Sequence, residues 1–411
     1  MSQVHIGPIT GGSLTSVPGF KAAGVACGLK PAGALDLALI STAQPCVAAA
    51  VFTTNAFKAA PVLYDQALLA HPEARISSVI INSGCANACT GEEGLQDTRA
   101  TAQAVAQALG IKADQVAVMS TGVIGMRLPM AKIFTGIEKA SQTLSSSTEA
   151  GHAAARAIMT TDTHPKEFAV RVQAGSWQCT IAGMAKGAGM IHPNMATMLC
   201  VLATDAALTP QVANQALREA VEESFHRITV DGDTSTNDTV LLMANGLSES
   251  KAITSLKSPE YGYFLQGLKR VATELAKAIV RDGEGATHFV EITVQGARTP
   301  AEAKQVGMSV ARSPLVKTAI YGEDANWGRI ICAVGYSGVP IEPEKVRLWL
   351  GDLELVRGGK PYHIDEERAS QLLSQRDISI IIDLGMGQAS TTVWTCDLSH
   401  EYVNINAHYR T

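Results

Sequence analysis

No stretch of this 411-residue chain approaches the roughly 18 consecutive apolar residues that a membrane-spanning helix needs, so none is expected. Charge is sparse. Asp, Glu, Lys and Arg make up 17% of the residues, and the formal net charge is −5. No basic stripe is left for a nucleic-acid backbone to follow. The start, Met1-Ser-Gln-Val-His-Ile6, has no basic segment leading into a long apolar core, so no secretory signal is expected. A cytoplasmic protein is the expectation, unless an organelle transit peptide has already been removed. No Gly-x-Gly-x-x-Gly lies between a strand and a helix, so no nucleotide cofactor is indicated. The eight cysteines are scattered, and only Cys85 and Cys89 lie close together. On a helix that pair would share a face, as two metal ligands would. No second Cys/His pair accompanies it, so no metal is expected, and two small buried side chains is the simpler reading. Aromatics are also few, at 5%, while alanine and glycine abound; small residues should pack tightly between layers.

Several elements read clearly. Residues 76–82 are a strand leading to a turn at Ser83-Gly84. Residues 98–109 are an Ala-rich helix stopped by Gly110. Residues 116–120 are a short strand ending at Thr121-Gly122. Thr209 caps a helix with Pro210 at its first position, and apolar residues follow at 213, 217, 221, 225 and 228. Leu268, Val271, Leu275 and Ile279 form another stripe, ending near Asp282-Gly283. The C-terminal third is strand-rich. Residues 288–294, 346–350 and 391–395 alternate, and 378–384 read as buried on both faces. Helices between antiparallel-looking strands point to a layered α+β architecture.

The most informative segment is Lys186-Gly-Ala-Gly-Met190-Ile-His192-Pro193-Asn-Met-Ala196-Thr197. A glycine-rich bend, a lysine and a proline turn precede a small residue and a threonine, and a buried strand follows. This reads as a self-cleaving junction whose Thr197 becomes a new N-terminus and a nucleophile. A threonine hydroxyl is weak until a base takes its proton, and an N-terminal threonine carries that base as its own amine. The amine's ordinary pKa of about 7.7–8.0 leaves roughly a tenth to a sixth of it neutral at pH 7. A nearby cation raises that fraction. Lys186, folded back by the bend, is the candidate. The cut requires Thr197 to attack the Ala196 carbonyl, and the β-branched side chain has few rotamers to search. Both this step and later acyl transfer need oxyanion donors, for which Ser120-Thr121-Gly122-Val123 at a strand end is a source.

Further segments join the junction: Ile81-Asn-Ser-Gly84, Ala86-Asn-Ala88, Ser120-Thr-Gly-Val-Ile-Gly125, Met159-Thr-Thr-Asp-Thr163, Thr229-Val-Asp-Gly-Asp-Thr-Ser-Thr-Asn-Asp238, Asn326-Trp-Gly-Arg329 and Tyr402-Val-Asn-Ile-Asn406 with Tyr409-Arg-Thr411. Together they resemble the ornithine acetyltransferase family, also called glutamate N-acetyltransferases, over most of the chain. The resemblance implies autoproteolysis between Ala196 and Thr197, giving an α chain 1–196 and a β chain 197–411. The two would fold together as one unit, with room for a smaller C-terminal subdomain. It implies a layered αββα sandwich, distinct from the N-terminal-nucleophile hydrolases it resembles in chemistry, and an α₂β₂ heterotetramer. Thr121 and Gly122 match the oxyanion pair. Thr160, Lys186, Thr197, Glu284, Asn406 and Thr411 match substrate-binding positions. The implied reaction moves acetyl from N²-acetyl-L-ornithine to L-glutamate in cyclic arginine biosynthesis, without a resident cofactor. Acetyl-CoA stands as an optional co-substrate. His408 departs from the family, where an acidic residue is expected.

Each of these residues has a plainer reading. Glu284 follows a helix end and would by default be a solvated carboxylate; functionally it pairs with a substrate ammonium group. Lys186 would by default be a surface lysine, and the tail carrying Asn406 and Thr411 would fray. His192, as His-Pro in a bend, reads as structural rather than as a base. The segment 231–242 lacks the glycine and glutamate of a calcium loop and reads as a hydrogen-bonded turn. Two other functions compete with acetyl transfer: an amidase or aminopeptidase using the same threonine, and a non-catalytic binding protein.

Overall fold

The structure is a computed structural model and describes residues 3–71, 73–192, 198–362 and 365–408. It forms two compact units. The first comprises Met1–Gly187, Asn194–His226 and Asp233–Ile279; the second comprises Ala188–Pro193, Arg227–Gly232 and Val280–Thr411.

The first unit holds strands β1 (His5–Pro8), β2 (Phe20–Val25), β3 (Leu37–Phe52), β4 (Arg75–Cys85), β5 (Val116–Val123), β6 (Lys166–Ala174), β7 (Trp177–Lys186), β8 (Leu199–Thr204) and β9 (Thr239–Ala244). Its helices are α1 (Ala60–Leu69), α2 (Gly91–Leu109), α3 (Met130–Thr143), α4 (Thr148–Ala157), α5 (Pro210–Glu222) and most of α6 (Pro259–Arg281). The strands hydrogen-bond in the order β1-β6-β7-β8-β9-β3-β4-β5, with β2 also on β3. β3 is shared. Its residues 37–41 pair with β2 and β4, and its residues 47–52 pair with β9, across an irregularity between Ser41 and Cys46.

Ala38, Ile40, Val79 and Ile81 from one part of the sheet lie in one buried cluster with Ala182, Met184, Val201 and Leu241 from the other. The sheet therefore doubles over at β3 and packs on itself. Opposite that core, Leu39, Ile80 and Val118 meet Val105 of α2 and Ile133 and Ile137 of α3. On the far side, α6 brings Leu275 against β7. The layers run α, β, β, α. Small residues allow them to lie close, as the scarcity of aromatics foretold.

β7 and β8 lie on either side of the junction and pair antiparallel, with Lys186 opposite Leu199. Parallel β8 and β9 are buried along their whole length, as strands covered on both faces must be. The segments expected at 1–196 and 197–411 thus both supply strands to this one sheet.

The second unit carries a six-stranded sheet, built from β10 (Phe289–Ala297), β11 (Arg347–Leu350), β12 (Leu353–Arg357), β13 (Lys360–Pro361), β14 (Asp377–Asp383) and β15 (Ala389–Cys396) in the order β13-β12-β11-β14-β10-β15. Helices α7 (Pro300–Ala311), α8 (Pro314–Tyr321), α9 (Trp327–Gly335), α10 (Glu366–Leu373) and α11 (His400–Ala407) accompany it. Val290, Ile292, Val294, Ile380 and Val393 anchor its core.

Local differences from the sequence reading have simple causes. β4 continues through Ser83 and Gly84, because Gly84 pairs with Gly122. β5 likewise continues to Val123. α2 begins at Gly91, ahead of two glutamates that suit a helix N-terminus. Thr209 caps α5 as expected, but the helix ends at Glu222, so Phe225 and Ile228 are buried outside it. β14 is buried on one face only, with Ser379 exposed; its isoleucines at 378, 380 and 382 alternate with residues facing outward. Cys85 is buried and Cys89 exposed, and neither lies on a helix. No described helix is long and apolar enough to cross a membrane.

Candidate active site

Ala196, Thr197 and Thr411 lie outside the described residues. The remaining candidates fall into two groups, one in each unit.

In the first unit, β5 delivers Thr121 and Gly122 at its C-terminal end. Thr121 is 3% exposed. Gly122 has φ +131°, a value only glycine adopts without strain. A Cβ there would lie 2.3 Å from the Gly84 carbonyl carbon and 2.5 Å from the Cys85 nitrogen. β7 ends at Lys186, which is 2% exposed and donates from Nζ to Thr121 Oγ1 at 3.2 Å. A buried cation here makes the surface-lysine reading untenable. Because Lys186 donates to the Thr121 oxygen, the Thr121 hydroxyl proton remains for another acceptor, and the ammonium polarises it.

Asp162 supplies counter-charge. Its carboxylate accepts from Lys166 Nζ at 2.6 Å, from the Gly187 amide at 2.7 Å and from the Thr160 amide at 2.9 Å. Burial alone would raise its pKa. Lys186 and Lys166 outweigh that and hold it down at about 2. Thr160 therefore sits on the same carboxylate that faces Lys186. Two buried lysines share this one ionised acid, so positive charge is in excess there, which suits an anion or depresses the pKa of a nearby amine.

A second buried acid, Asp238, follows a different logic. It is fully buried, and its Oδ1 accepts the Met198 amide at 3.0 Å. Burial pushes its pKa well above the carboxylate range, more than the Met198 amide and Lys186 offset.

In the second unit, Glu284 is 7% exposed, so the solvated-loop reading fails. Asn406, on α11, donates from Nδ2 to Glu284 Oε2 at 2.7 Å. Ser399 caps α11 and also donates to the Gly285 carbonyl, which ties the helix to the loop bearing Glu284. Asn406 is thus docked rather than frayed. Gly189 leaves room for the acid, since a Cβ there would lie 2.3 Å from Glu284 Oε2. The bend itself is pinned by Asp231, whose carboxylate accepts the Met190 and Ile191 amides at 2.5 and 2.8 Å. Met190 is thereby held at φ +57°. This is the hydrogen-bonded turn that replaces a calcium loop.

His192 Nε2 accepts from Arg312 at 3.3 Å, and burial, helped by that cation, lowers its pKa to about 4. An unfolded histidine titrates near 6.5, so below about pH 6.5 the unfolded chain gains a proton that the folded one refuses. Stability is expected to fall as pH drops from about 6.5 to about 4. In His192→Gln, unfolding temperature measured across that range should decline less than in the wild type. An equal decline would show that His192 contributes nothing.

Sequence reasoning assigns no role to Asp162, Lys166, Asn237 or Asp238. The available signal is position: Asn237-Asp238 stands directly before the largely apolar, fully buried strand β9.

The model of the ArgJ family matches residues 21–411. The chain belongs to the ArgJ family. Among ArgJ relatives, the arginine biosynthesis bifunctional protein ArgJ of Symbiobacterium thermophilum is 48% identical, across 97% of this chain and 99% of the relative. The mitochondrial ArgJ of Dictyostelium discoideum is 47% identical across 97% and 93%. Among solved structures, the ornithine acetyltransferase of Mycobacterium tuberculosis, complexed with ornithine, is 43% identical with a TM-score of 0.43. It covers 48% of this chain and all of the solved one.

Proposed function

We propose that this ArgJ-family chain is an acetyltransferase that cuts itself between Ala196 and Thr197 and then carries acetyl from N²-acetyl-L-ornithine to L-glutamate on Thr197. The relatives' role in arginine biosynthesis supports the substrates. The observation that carries the mechanism is the buried Lys186 donating to Thr121 beside Gly122.

The Thr197 hydroxyl attacks the acetyl carbon while the Thr197 amine takes its proton. The oxyanion is met by the Thr121 hydroxyl and the Gly122 N–H. The carbon–nitrogen bond breaks, and the proton passes to the departing ornithine amine. Glutamate enters and its neutral amine attacks the acetyl-threonine carbonyl; the Thr197 amine takes the proton, the Thr197 oxygen–acyl bond breaks, the proton returns to the Thr197 oxygen, and acetylglutamate leaves. Lys186 has two tasks: it orients the Thr121 hydroxyl, and its charge lowers the pKa of the Thr197 amine. Glu284, oriented by Asn406, takes the ammonium group of the substrate, with Thr160 and Thr411 completing the substrate-binding set. The chemistry draws on no resident cofactor. Acetyl-CoA is a second donor to the same threonine, in keeping with the description of the relatives as bifunctional. The assembly is an α₂β₂ heterotetramer of two cut precursors, and its compartment is the cytoplasm.

Acetylornithine supplied with and without glutamate tests this reading. With glutamate, ornithine and acetylglutamate are expected to appear together over many turnovers. Without it, ornithine release should stop after about one equivalent per site. Continued acetate release without glutamate would overturn the transferase reading in favour of a hydrolase.

A further inference from the structure

Two adjacent residues with no role in that mechanism hold both halves of the machinery. Asn237 Nδ2 donates to two main-chain carbonyls, those of Ala86 at 2.7 Å and Ser120 at 2.8 Å. Ser120 immediately precedes the oxyanion donors. Its own hydroxyl donates to Asn82 Oδ1 at 2.6 Å, and Asn82 Nδ2 donates to the Cys85 carbonyl at 2.8 Å. The strand ends of β4 and β5 are therefore tied together by buried side-chain amides. Asn237 is itself fixed, since its Oδ1 accepts from Thr236 Oγ1 at 2.6 Å and its N–H donates to Ser235 Oγ at 3.0 Å.

The next residue turns to a different partner. Asp238 Oδ1 accepts the Met198 N–H, and the Met198 carbonyl accepts from the Thr239 N–H at 3.1 Å. Met198 is gripped on both sides. Its N–H belongs to the peptide joining it to Thr197, and a peptide is planar, so holding that N–H constrains the plane on which the nucleophile is mounted. The Asp238 carbonyl in turn accepts from the Thr53 N–H at 3.0 Å. Asn237 and Asp238 are 4% and 0% exposed, so water cannot substitute for either set of bonds.

We propose that Asn237 and Asp238 form a positioning brace: Asn237 fixes the strand end that bears the oxyanion donors, Asp238 fixes the peptide after the nucleophile, and the step between them sets their mutual spacing. The proposal rests on the acetyl-threonine reading. Asp238 is fully buried, and burial raises its pKa. The contact of Asp238 with Met198 is an acceptance by one side-chain oxygen, which an amide oxygen reproduces. The contacts of Asn237 are donations, which a carboxylate cannot make.

A sharp asymmetry follows between two isosteric changes. Asn237→Asp should slow both self-cleavage and acetylation of Thr197 by about 100-fold, with KM for acetylornithine shifted by about twofold at most, because misplacement acts on the transition state. Asp238→Ala should be slowed comparably, and Asp238→Asn should recover to within about threefold of the wild-type rate with an unchanged pH–rate profile. Intact mass followed over time reads cleavage, and rapid-quench sampling with acetylornithine reads acetylation. Should Asn237→Asp fail to fold, the comparison of Asp238→Ala with Asp238→Asn decides. Wild-type rates in Asn237→Asp, or Asp238→Asn as slow as Asp238→Ala, would overturn the brace. So would variants that melt earlier while keeping normal rates. A wild-type chain that neither cuts nor becomes acetylated would overturn the underlying function instead.

Discussion

Thr197→Ala is expected to remain a single uncut chain with no transferase activity. The methyl group of alanine cannot attack the Ala196 carbonyl, so no new N-terminus forms. Without that N-terminus the site has neither its nucleophile nor its base, because one residue supplies both. Loss of a nucleophile that acts as a unit with its base should reduce kcat by at least about 10⁴-fold. Thr197→Ser retains the hydroxyl and should cut and turn over more slowly. The fold should survive, since the β7–β8 pairing across the junction is made by residues from Leu199 onward. A denaturing gel and a coupled ornithine assay suffice. An uncut Thr197→Ala protein with wild-type activity would contradict the mechanism at its root.

Gly122→Ala is expected to have the next largest effect. The added Cβ would meet backbone atoms of Gly84 and Cys85 at 2.3–2.6 Å, and backbone cannot rotate aside as a flexible side chain does. The φ of +131° is also closed to alanine. β4 and β5 must separate, which moves both the Gly122 N–H and Thr121. Removing an oxyanion donor costs about 10²- to 10³-fold in kcat, so a loss of at least about 100-fold is expected. KM for acetylornithine should change little, because the donor acts on the transition state. Self-cleavage should slow in parallel, and the unfolding temperature should drop. Steady-state kinetics alongside thermal unfolding separate the two losses. Wild-type kcat in a normally folded Gly122→Ala would remove Gly122 from the oxyanion role.

The legible part of this chain was what period, caps and glycine-rich bends encode. Thr209 with Pro210, the stripe of α6 and the strand after the junction all appear where their patterns placed them. The layered α+β architecture followed from the alternation of elements. Thr121, Gly122 and Lys186 were singled out because acyl transfer demands donors and a cation, and the structure brings the three together.

The remainder depended on contacts between residues far apart in sequence. Nothing local to Asp162 shows that the Gly187 amide, 25 residues on, joins the nearby Thr160 amide and Lys166 on its carboxylate. Nothing local to Glu284 shows that Gly189 makes room for it. Ionisation was equally hidden. Asp162 and Asp238 are both buried acids, yet two lysines hold the pKa of one down and desolvation pushes that of the other up. A sequence assigns the same letter to both, and only the partners separate them.

The central claim is that Thr197 is first freed and then acetylated. Intact mass spectrometry of the purified protein, before and after a short exposure to acetylornithine, tests both halves in one measurement. The account predicts two chains, ending at Ala196 and beginning at Thr197, with the second chain alone gaining the mass of one acetyl group, and losing it again when glutamate is added. A single full-length mass that acetylornithine leaves unchanged, from a preparation that still forms acetylglutamate, would contradict it.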